Sequence, residues 1–264
     1  MIAFVVARAV AILAAVLLTP NFAGAALAAK LQGFGVVYLH GKAAWPGALN
    51  GGILSSLEDE GALVAEPEMP WSFHRRYAAT FDQAMSEIDA AVAGLKAKGA
   101  SRIVVIGHSL GANAAIGYGA RHPELAGIAA LAPGHLPETE PLRSFVHDAV
   151  ARAKQLIAAG QGNMPETFPD MAQGIPLTTT ATPVVYLSMF DPDGPAVIPK
   201  NTAAMGMVPL LWVVGKLDPI DRRGPEYAFN AAKNPKNKYI EVFAGHLTTP
   251  LVARKQVVEW INSL

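Results

Sequence analysis

Short runs of β-branched and other apolar residues recur along this chain, separated by longer segments whose apolar residues fall three or four positions apart. The short runs predict buried strands over 35–39, 63–66, 102–106, 127–131, 210–214 and 238–243. The longer segments predict amphipathic helices over 78–98, 110–121, 142–159 and 250–263. Strands that alternate with helices form a mostly parallel sheet with helices on both faces. The sequence therefore predicts an α/β fold in one domain.

Residues 136–206 interrupt this alternation. Their first part, 142–159, has helical spacing, whereas 160–206 is rich in Pro, Gly, Thr and Met. A connection of this length is usually a lid or a binding segment rather than a plain loop. We expect 136–206 to form a lid-like insertion, or cap, over the carboxyl edge of the sheet. The apolar residues expected to line a pocket beneath it are Met189, Phe190, Met205 and Met207.

The chain begins with a strongly apolar segment, in which 24 of the first 29 residues are apolar. The run Ala9–Leu18 is followed by a proline and then by small residues, an order typical of a secretory signal peptide cleaved after Ala25 or Ala28. We expect residues 1–28 to be a signal peptide, which places the folded domain, 29–264, in the periplasm or outside the cell. An uncleaved N-terminal membrane anchor is the alternative, and membrane attachment is expected only in that case.

Charge and residue types exclude several classes of site. The chain has 21 basic and 21 acidic residues, and no basic patch with interleaved aromatic residues argues for a nucleic-acid partner. Cysteine is absent, which excludes thiolate catalysis, disulfides and Cys-ligated zinc. The segment Phe190-Asp191-Pro192-Asp193-Gly194 lacks the ligand ladder of a calcium loop, and no glycine-rich phosphate motif occurs. We therefore expect neither a metal nor a cofactor.

The most specific motif is Gly107-His108-Ser109-Leu110-Gly111, between a predicted strand and a predicted helix. A G-x-S-x-G sequence at such a turn holds the serine in a strained conformation above the sheet, while the glycines allow strand and helix to approach closely. The N-terminus of the helix adds positive potential where an oxyanion would develop. This context is typical of a nucleophilic serine.

The chain resembles the α/β-hydrolase superfamily over about 31–264, in which the serine is followed along the chain by an acid and then by a histidine. A predicted strand followed by Asp218 and another followed by His246 match the positions of the acid and the base. The resemblance implies that Ser109 is the nucleophile, that His246 accepts its proton and that Asp218 orients His246. The alternative acids are, in order, Asp221, Asp191 and Asp193.

The same resemblance implies an oxyanion hole formed by the backbone N–H groups of Leu110 and Lys42, the latter in a His-Gly-Lys segment similar to the family's HG loop. The Lys42 side chain is expected to be solvated, or else to attract an anionic substrate. His40 and His108 flank the proposed site and Trp71 follows a strand that ends at the same edge, so these three are candidates for substrate binding. For the segment around Trp71, the alternative is a proline-stiffened loop with solvated charges.

These residues imply an exported serine hydrolase, in the first place a carboxylic-ester hydrolase that forms a Ser109 acyl-enzyme with a small-molecule substrate. The preference for esters rests on their frequency among enzymes of this fold, and a fold does not fix a function. Thioesterase, amidase and cofactor-free haloperoxidase activities would use the same three residues and are alternatives. A non-catalytic binding protein on the same scaffold is a further alternative, although binding does not require an oriented base.

Overall fold

Strands and helices alternate along the described part of the computed structural model, which comprises residues 30–220 and 223–264. The signal peptide predicted over 1–28 and the alternative acid Asp221 lie outside these residues. The strands are β1 (Phe34–Leu39), β2 (Leu63–Ala65), β3 (Arg102–His108), β4 (Gly127–Leu131), β5 (Glu166–Ala172), β6 (Ile175–Ala181), β7 (Leu210–Gly215) and β8 (Lys238–Val242). The α-helices are α1 (Ile53–Asp59), α2 (Phe81–Ala97), α3 (Leu110–Gly119), α4 (Leu142–Ala158), α5 (Pro183–Phe190), α6 (Ile198–Ala204) and α7 (Thr249–Asn262). Two short 3₁₀ helices, Pro225–Tyr227 and Phe229–Ala231, precede β8.

Six of the strands form one sheet in the order β2-β1-β3-β4-β7-β8. All neighbouring pairs in this sheet are parallel, and every residue of β1, β4 and β7 is buried. Such continuous apolar strands are typical of a parallel sheet covered on both faces. The predicted α/β fold with a mostly parallel sheet is therefore confirmed. Because the strands run in the same direction, their carboxyl ends meet along one edge.

Alternate residues of each strand pack against opposite layers of helices. In β3, Ile103 and Val105 pack in the same cluster as the apolar residues of α2 and α3. Val104 and Ile106 instead pack in the cluster that contains the apolar residues of α1 and α7. This period of two follows from the pleat of a strand. It leaves the loops at the carboxyl edge as the place where polar side chains can gather.

Helix α2 begins where a capping box satisfies its first N–H groups. The Gln83 backbone N–H donates to Thr80 Oγ1 at 3.2 Å, and the Thr80 N–H donates to Gln83 Oε1 at 2.8 Å. The helix predicted over 78–98 therefore starts at Phe81. The sequence pattern does not predict the seven-residue helix α1. Within 30–220 and 223–264, no helix is both long enough and apolar enough to cross a bilayer.

The segment 136–206 is more regular than its sequence predicts. Helix α4 covers the predicted helix, but the remainder forms an antiparallel hairpin of β5 and β6 followed by α5 and α6. The hairpin turns at Gln173 and Gly174, whose φ angles of 51° and 80° suit a tight turn. The sequence does not predict these two strands, because Pro169 and Pro176 interrupt them and most residues of β6 are exposed. The alternation of apolar and polar residues that indicates a strand is therefore missing.

Candidate active site

The turn between β3 and α3 presents Ser109 at the carboxyl edge of the sheet. Ser109 has φ 56° and ψ −122°, a strained conformation for a residue with a side chain. The flanking glycines permit it, because a Cβ on Gly107 would lie 2.0 Å from the Gly111 carbonyl oxygen and one on Gly111 would lie 2.1 Å from the Leu39 carbonyl oxygen. The local conformation is therefore that expected for a nucleophile elbow.

Ser109, His246 and Asp218 form one hydrogen-bonded line. His246 Nε2 lies 2.9 Å from Ser109 Oγ, and His246 Nδ1 lies 2.7 Å from Asp218 Oδ2. An ionised carboxylate can only accept, so His246 Nδ1–H donates to Asp218 and Nε2 is left to accept the Ser109 proton. The other carboxylate oxygen of Asp218 accepts the Ile220 N–H at 2.8 Å. The three residues thus have the geometry that a base-activated serine requires.

The alternative acids within the described residues do not share this contact. The Asp191 carboxylate pairs with Lys154 Nζ at 2.8 Å and also accepts the Asp193 N–H at 3.1 Å. Asp218 is fully buried in the loop three residues after β7 and is hydrogen-bonded to His246. Of the candidate acids that the structure describes, Asp218 is therefore the one placed to orient the base.

The two residues predicted to supply the oxyanion hole, Leu110 and Lys42, line the same cavity as Ser109. This cavity of about 60 Å³ is lined by Ser109, Leu110 and Lys42, among others. Leu110 is the first residue of α3, where N–H groups have no partner inside the helix. Within the described ranges, no acceptor is assigned to the N–H of either Leu110 or Lys42. Both amides are thus available to a ligand oxygen.

The side chain of Lys42 does not have the solvated position expected from the sequence. Its Nζ lies 2.5 Å from Asp170 Oδ1 and donates to the Met171 carbonyl oxygen at 2.9 Å. Both charged side chains are largely buried. The prediction of a solvated or anion-attracting lysine is therefore wrong, because the β5–β6 hairpin, unseen in the sequence pattern, supplies a carboxylate.

His40 and Trp71, predicted as substrate-binding residues, are buried and do not line either cavity at the site. His40 Nε2 accepts the Met69 N–H at 3.0 Å, and the His40 carbonyl oxygen accepts Trp71 Nε1–H at 2.8 Å. Burial lowers the pKa of His40 and so favours the neutral ring that this acceptor role needs. The predicted substrate contact is corrected to a bracing role, since these bonds hold the loops after β1 and β2 together.

His108, the third predicted binding residue, does line the cavity beside Ser109. Its Nε2 lies 3.0 Å from the His246 carbonyl oxygen, so Nε2–H donates to the loop that carries the base. Burial, and secondarily the charge of His246, lowers the pKa of His108 to about 4. A neutral His108 therefore fixes the His246 backbone without adding a charge beside it.

A larger cavity of about 340 Å³ adjoins the first and shares four lining residues with it. The shared residues are Gly134, Met171, Gln173 and Ile220. Its wall also contains apolar residues of the segment 136–206, such as Leu136 and Leu142. Arg223 closes one side, where it donates to Thr139 Oγ1 at 2.9 Å and to the Glu140 carbonyl oxygen at 3.0 Å.

The prediction that Met189, Phe190, Met205 and Met207 line a pocket is wrong. The structure buries Met189, Phe190 and Met205 in the core and leaves Met207 60% exposed. The sequence predicts Ser109, Leu110 and His108 in the smaller cavity but misses the residues that line the larger one, although Gly134 offers a signal because it follows β4 at the same sheet edge. Among the described residues, no group of three or more His, Asp or Glu is arranged to hold a metal ion.

Comparisons with known proteins agree with this architecture. A family model described as serine aminopeptidase S33, of the Hydrolase_4 family, matches residues 72–173. A search of curated proteins finds no match. Among solved structures, the chain is similar to a monoacylglycerol lipase of Paleococcus ferrophilus, with 20% identity, coverage of 87% of this chain and 94% of that one, and a TM-score of 0.63. It is also similar to a structure solved for LipS and LipT, two metagenome-derived lipolytic enzymes, with 16% identity, coverage of 88% of this chain and 95% of that one, and a TM-score of 0.63.

An esterase of Pyrococcus furiosus is a third similar structure, with 20% identity, coverage of 89% of this chain and 84% of that one, and a TM-score of 0.59. At these identities the likenesses show the fold alone, the α/β-hydrolase fold. Together with the family model over 72–173, they confirm at the level of the fold the resemblance to the α/β-hydrolase superfamily that the sequence motifs indicate.

Proposed function

We propose that this protein is a serine hydrolase that cleaves carboxylic esters of small molecules. The observation that carries the proposal is the line of hydrogen bonds from Asp218 through His246 to Ser109, at 2.7 and 2.9 Å. A binding protein needs no base held between an acid and a strained serine, so this geometry favours catalysis. The names of the similar structures, which are lipolytic enzymes, a lipase and an esterase, support an ester as the substrate.

In the first half of the proposed reaction, Ser109 Oγ attacks the ester carbonyl carbon while His246 Nε2 takes the hydroxyl proton. The carbonyl oxygen becomes an oxyanion, which accepts hydrogen bonds from the Leu110 and Lys42 amides. Collapse of this intermediate breaks the carbon–oxygen bond to the alcohol, and His246 gives its proton to the leaving oxygen. The products are a free alcohol and a Ser109 acyl ester.

In the second half, a water molecule attacks the acyl carbon and His246 Nε2 takes a proton from it. Collapse of the second oxyanion returns that proton to Ser109 Oγ and releases the carboxylic acid. Asp218 remains ionised throughout and stabilises the imidazolium that forms twice in the cycle. Each turnover thus consumes one ester and one water and regenerates the free serine.

The larger cavity supports an apolar acyl group as part of the substrate. It shares Gly134 and Ile220 with the cavity of Ser109, and apolar Leu136, Leu142 and Met171 line it together with the polar residues Thr139, Glu140, Gln173 and Arg223. Apolar walls with few polar groups are typical of small-molecule sites. We place the acyl chain in this cavity and the alcohol toward Leu49 and Leu247, at the outer side of the smaller cavity.

Covalent labelling and turnover of p-nitrophenyl esters test the proposal. We expect a fluorophosphonate probe to label Ser109, and both Ser109→Ala and His246→Ala to lower kcat by at least about 10³-fold. Ser101→Ala is the matched control, because Ser101 precedes β3 at the opposite edge of the sheet and should leave turnover unchanged. A folded wild-type protein that neither labels nor turns over any ester in a panel of acyl lengths would refute the proposal. A preference for thioesters or amides in the same panel would replace the substrate class.

We also propose that residues 1–28 direct the domain out of the cytoplasm, on the signal-peptide pattern of the sequence alone. Expression of the full chain and cell fractionation should give a shortened protein in the exported fraction, beginning at Ala26 or Ala29. A deletion of residues 2–28 should keep the protein in the cytoplasm. Full-length protein in the membrane fraction would support the anchor instead, and soluble full-length protein in the cytoplasm would overturn both.

A further inference from the structure

A buried ion pair joins the loop after β1 to the β5–β6 hairpin. Lys42 Nζ lies 2.5 Å from Asp170 Oδ1, and the two side chains are 13% and 6% exposed. Lys42 Nζ also donates to the Met171 carbonyl oxygen at 2.9 Å. The contact spans 128 positions of sequence and connects the loop after β1 to β5.

The surroundings of Asp170 hold this pair in one arrangement. Asp170 Oδ1 also accepts the Met171 N–H at 2.6 Å, and Oδ2 accepts the Tyr77 hydroxyl at 3.3 Å. The Lys42 ammonium lies 5.5 Å from the centroid of the Phe190 ring. Burial of two charges is costly, and an apolar pair of similar size would often be at least as stable. Stability alone therefore gives little reason for a lysine and an aspartate at these two positions.

At one end of the pair is a residue of the candidate active site. Lys42 lines the cavity of Ser109 and its backbone N–H has no acceptor among the described residues, while its side chain is held by Asp170. The next residue, Ala43, has φ 55° and donates its N–H to the Trp71 carbonyl oxygen at 2.9 Å. The Lys42 amide thus lies between a fixed side chain and a fixed neighbouring peptide. An oxyanion donor must be fixed in advance in this way to act without reorganisation.

At the other end is the wall of the cavity. Met171, Ala172 and Gln173 follow Asp170 directly and line the cavity that contains Ser109. A two-stranded hairpin by itself is only marginally stable, so its position depends on contacts outside it. The ion pair supplies such a contact beside the residues that face the site.

We propose that the Lys42–Asp170 ion pair is a positioning device, which holds the Lys42 amide toward the oxyanion and holds the hairpin against Ser109. The inference rests on the proposed function. Lys42, through its side chain, and Asp170 are then positioning residues, since neither charged group needs to touch the substrate. Because an oxyanion forms only during the reaction, loss of the pair should lower kcat more than it raises KM.

Three variants test this: Lys42→Met, Asp170→Asn and the double variant Lys42→Met/Asp170→Asn. Each single variant leaves one buried polar partner without its counterpart and should lower the Tm. The double variant removes both charges, while the amide introduced at position 170 keeps one oxygen to accept the Met171 N–H and an NH₂ group to donate to the Tyr77 hydroxyl oxygen, so its Tm should return toward that of the wild type. We expect kcat for p-nitrophenyl butyrate to fall about 10- to 100-fold in all three, with KM changed less than about threefold.

Glu166→Gln is the matched control. Glu166 lies in the same hairpin and pairs with Arg152 at 3.0 Å, away from the cavity residues, so its loss should leave kcat unchanged. A double variant that regains wild-type kcat together with its Tm would overturn the inference and assign the pair a structural role only. Wild-type kcat in a folded single variant would also overturn it. Absence of Ser109 labelling and turnover in the wild type would instead overturn the proposed function, and this inference with it.

Discussion

Gly134 faces the imidazole of His246 with no room for a side chain between them. A Cβ on Gly134 would lie 2.6 Å from His246 Cε1 and 3.0 Å from Ser109 Oγ. Gly134 follows β4, between the strand that carries Ser109 and the strand that carries Asp218. The smallest residue at this position thus leaves the serine and the histidine free to approach each other.

The first prediction is that Gly134→Ala lowers kcat about 100-fold while the protein still folds. The added methyl group must displace His246 or Ser109, and small displacements of reacting groups are costly. Kinetics on a p-nitrophenyl ester and a thermal melt measure the two effects. Gly94→Ala is the control, because a Cβ on Gly94 in α2 meets no atom within 4 Å and alanine favours a helix. Wild-type kcat in Gly134→Ala would contradict the prediction.

The second prediction concerns the acid. Asp218→Asn should lower kcat about 10⁴-fold with little loss of fold, because an amide N–H directed at His246 Nδ1 would favour the imidazole tautomer that cannot accept the Ser109 proton. The Ile220 N–H could still donate to the oxygen of the new amide side chain. Asp193→Asn is the control and should keep full turnover. Full activity in Asp218→Asn, with loss in Asp221→Asn, would assign the acid role to Asp221.

The third prediction is acid destabilisation through His135. Burial, and then the charge of Lys42, lowers the pKa of His135 from 6.5 to about 4, and the neutral ring donates Nε2–H to the Met189 carbonyl oxygen at 2.7 Å. The unfolded chain takes up this proton below about pH 6.5, whereas the folded chain does not until about pH 4. The free energy of unfolding should therefore decrease as the pH is lowered from about 6.5 to about 4, and this residue should account for a loss of about 2 kcal/mol at pH 5.

Urea unfolding at pH 7 and pH 5 measures that loss. His135→Asn should lose about 2 kcal/mol less than the wild type between the two values, whatever its stability at pH 7. His147→Asn, at an exposed position of α4, should lose as much as the wild type. An equal loss in the wild type and in His135→Asn would show that His135 does not contribute.

The fourth prediction concerns acyl length. Leu142→Trp should fill part of the larger cavity and lower kcat/KM for an octanoyl ester at least about 10-fold, while acetyl-ester turnover changes less than about threefold. Phe145→Trp, on a partly exposed position of the same helix, is the control for a bulky residue outside the cavity. An equal loss for both esters in Leu142→Trp would place the acyl chain elsewhere.

The regular part of the fold follows from local patterns in the sequence. Val104, Val105 and Ile106 mark a buried strand because a parallel strand needs apolar residues on both faces. Ser109 follows that strand between two glycines, a turn that few other sequences allow. Asp218 and His246 follow later strands, so the same argument brings their side chains to one edge. These local patterns account for the sheet and for the three residues that meet there.

The contacts between distant segments do not follow from local patterns. Trp71 and His40 each combine an apolar ring with a polar nitrogen, so either could lie in the interior or face a ligand. Their spacing in the sequence does not show that they are hydrogen-bonded to each other in the interior. Lys42 needed a carboxylate from β5, a strand that contains a proline and has no apolar alternation. The role of Gly134 depends on the space beside His246, which no spacing rule describes. Tertiary contacts decided each of these positions.

The order of the sheet has a consequence for how the site is assembled. Lys42, Ser109, Gly134, Asp218 and His246 follow β1, β3, β4, β7 and β8, which are consecutive strands across the sheet. A slip of one residue between β7 and β8 would displace Asp218 relative to His246 by about 3.3 Å. The hydrogen bond between Asp218 and His246 is 2.7 Å long, so such a slip would break it. The pairing of Gly215 with Val242 therefore sets the distance between Asp218 and His246 on which proton transfer depends. A loss of catalysis would report that these two strands are out of register.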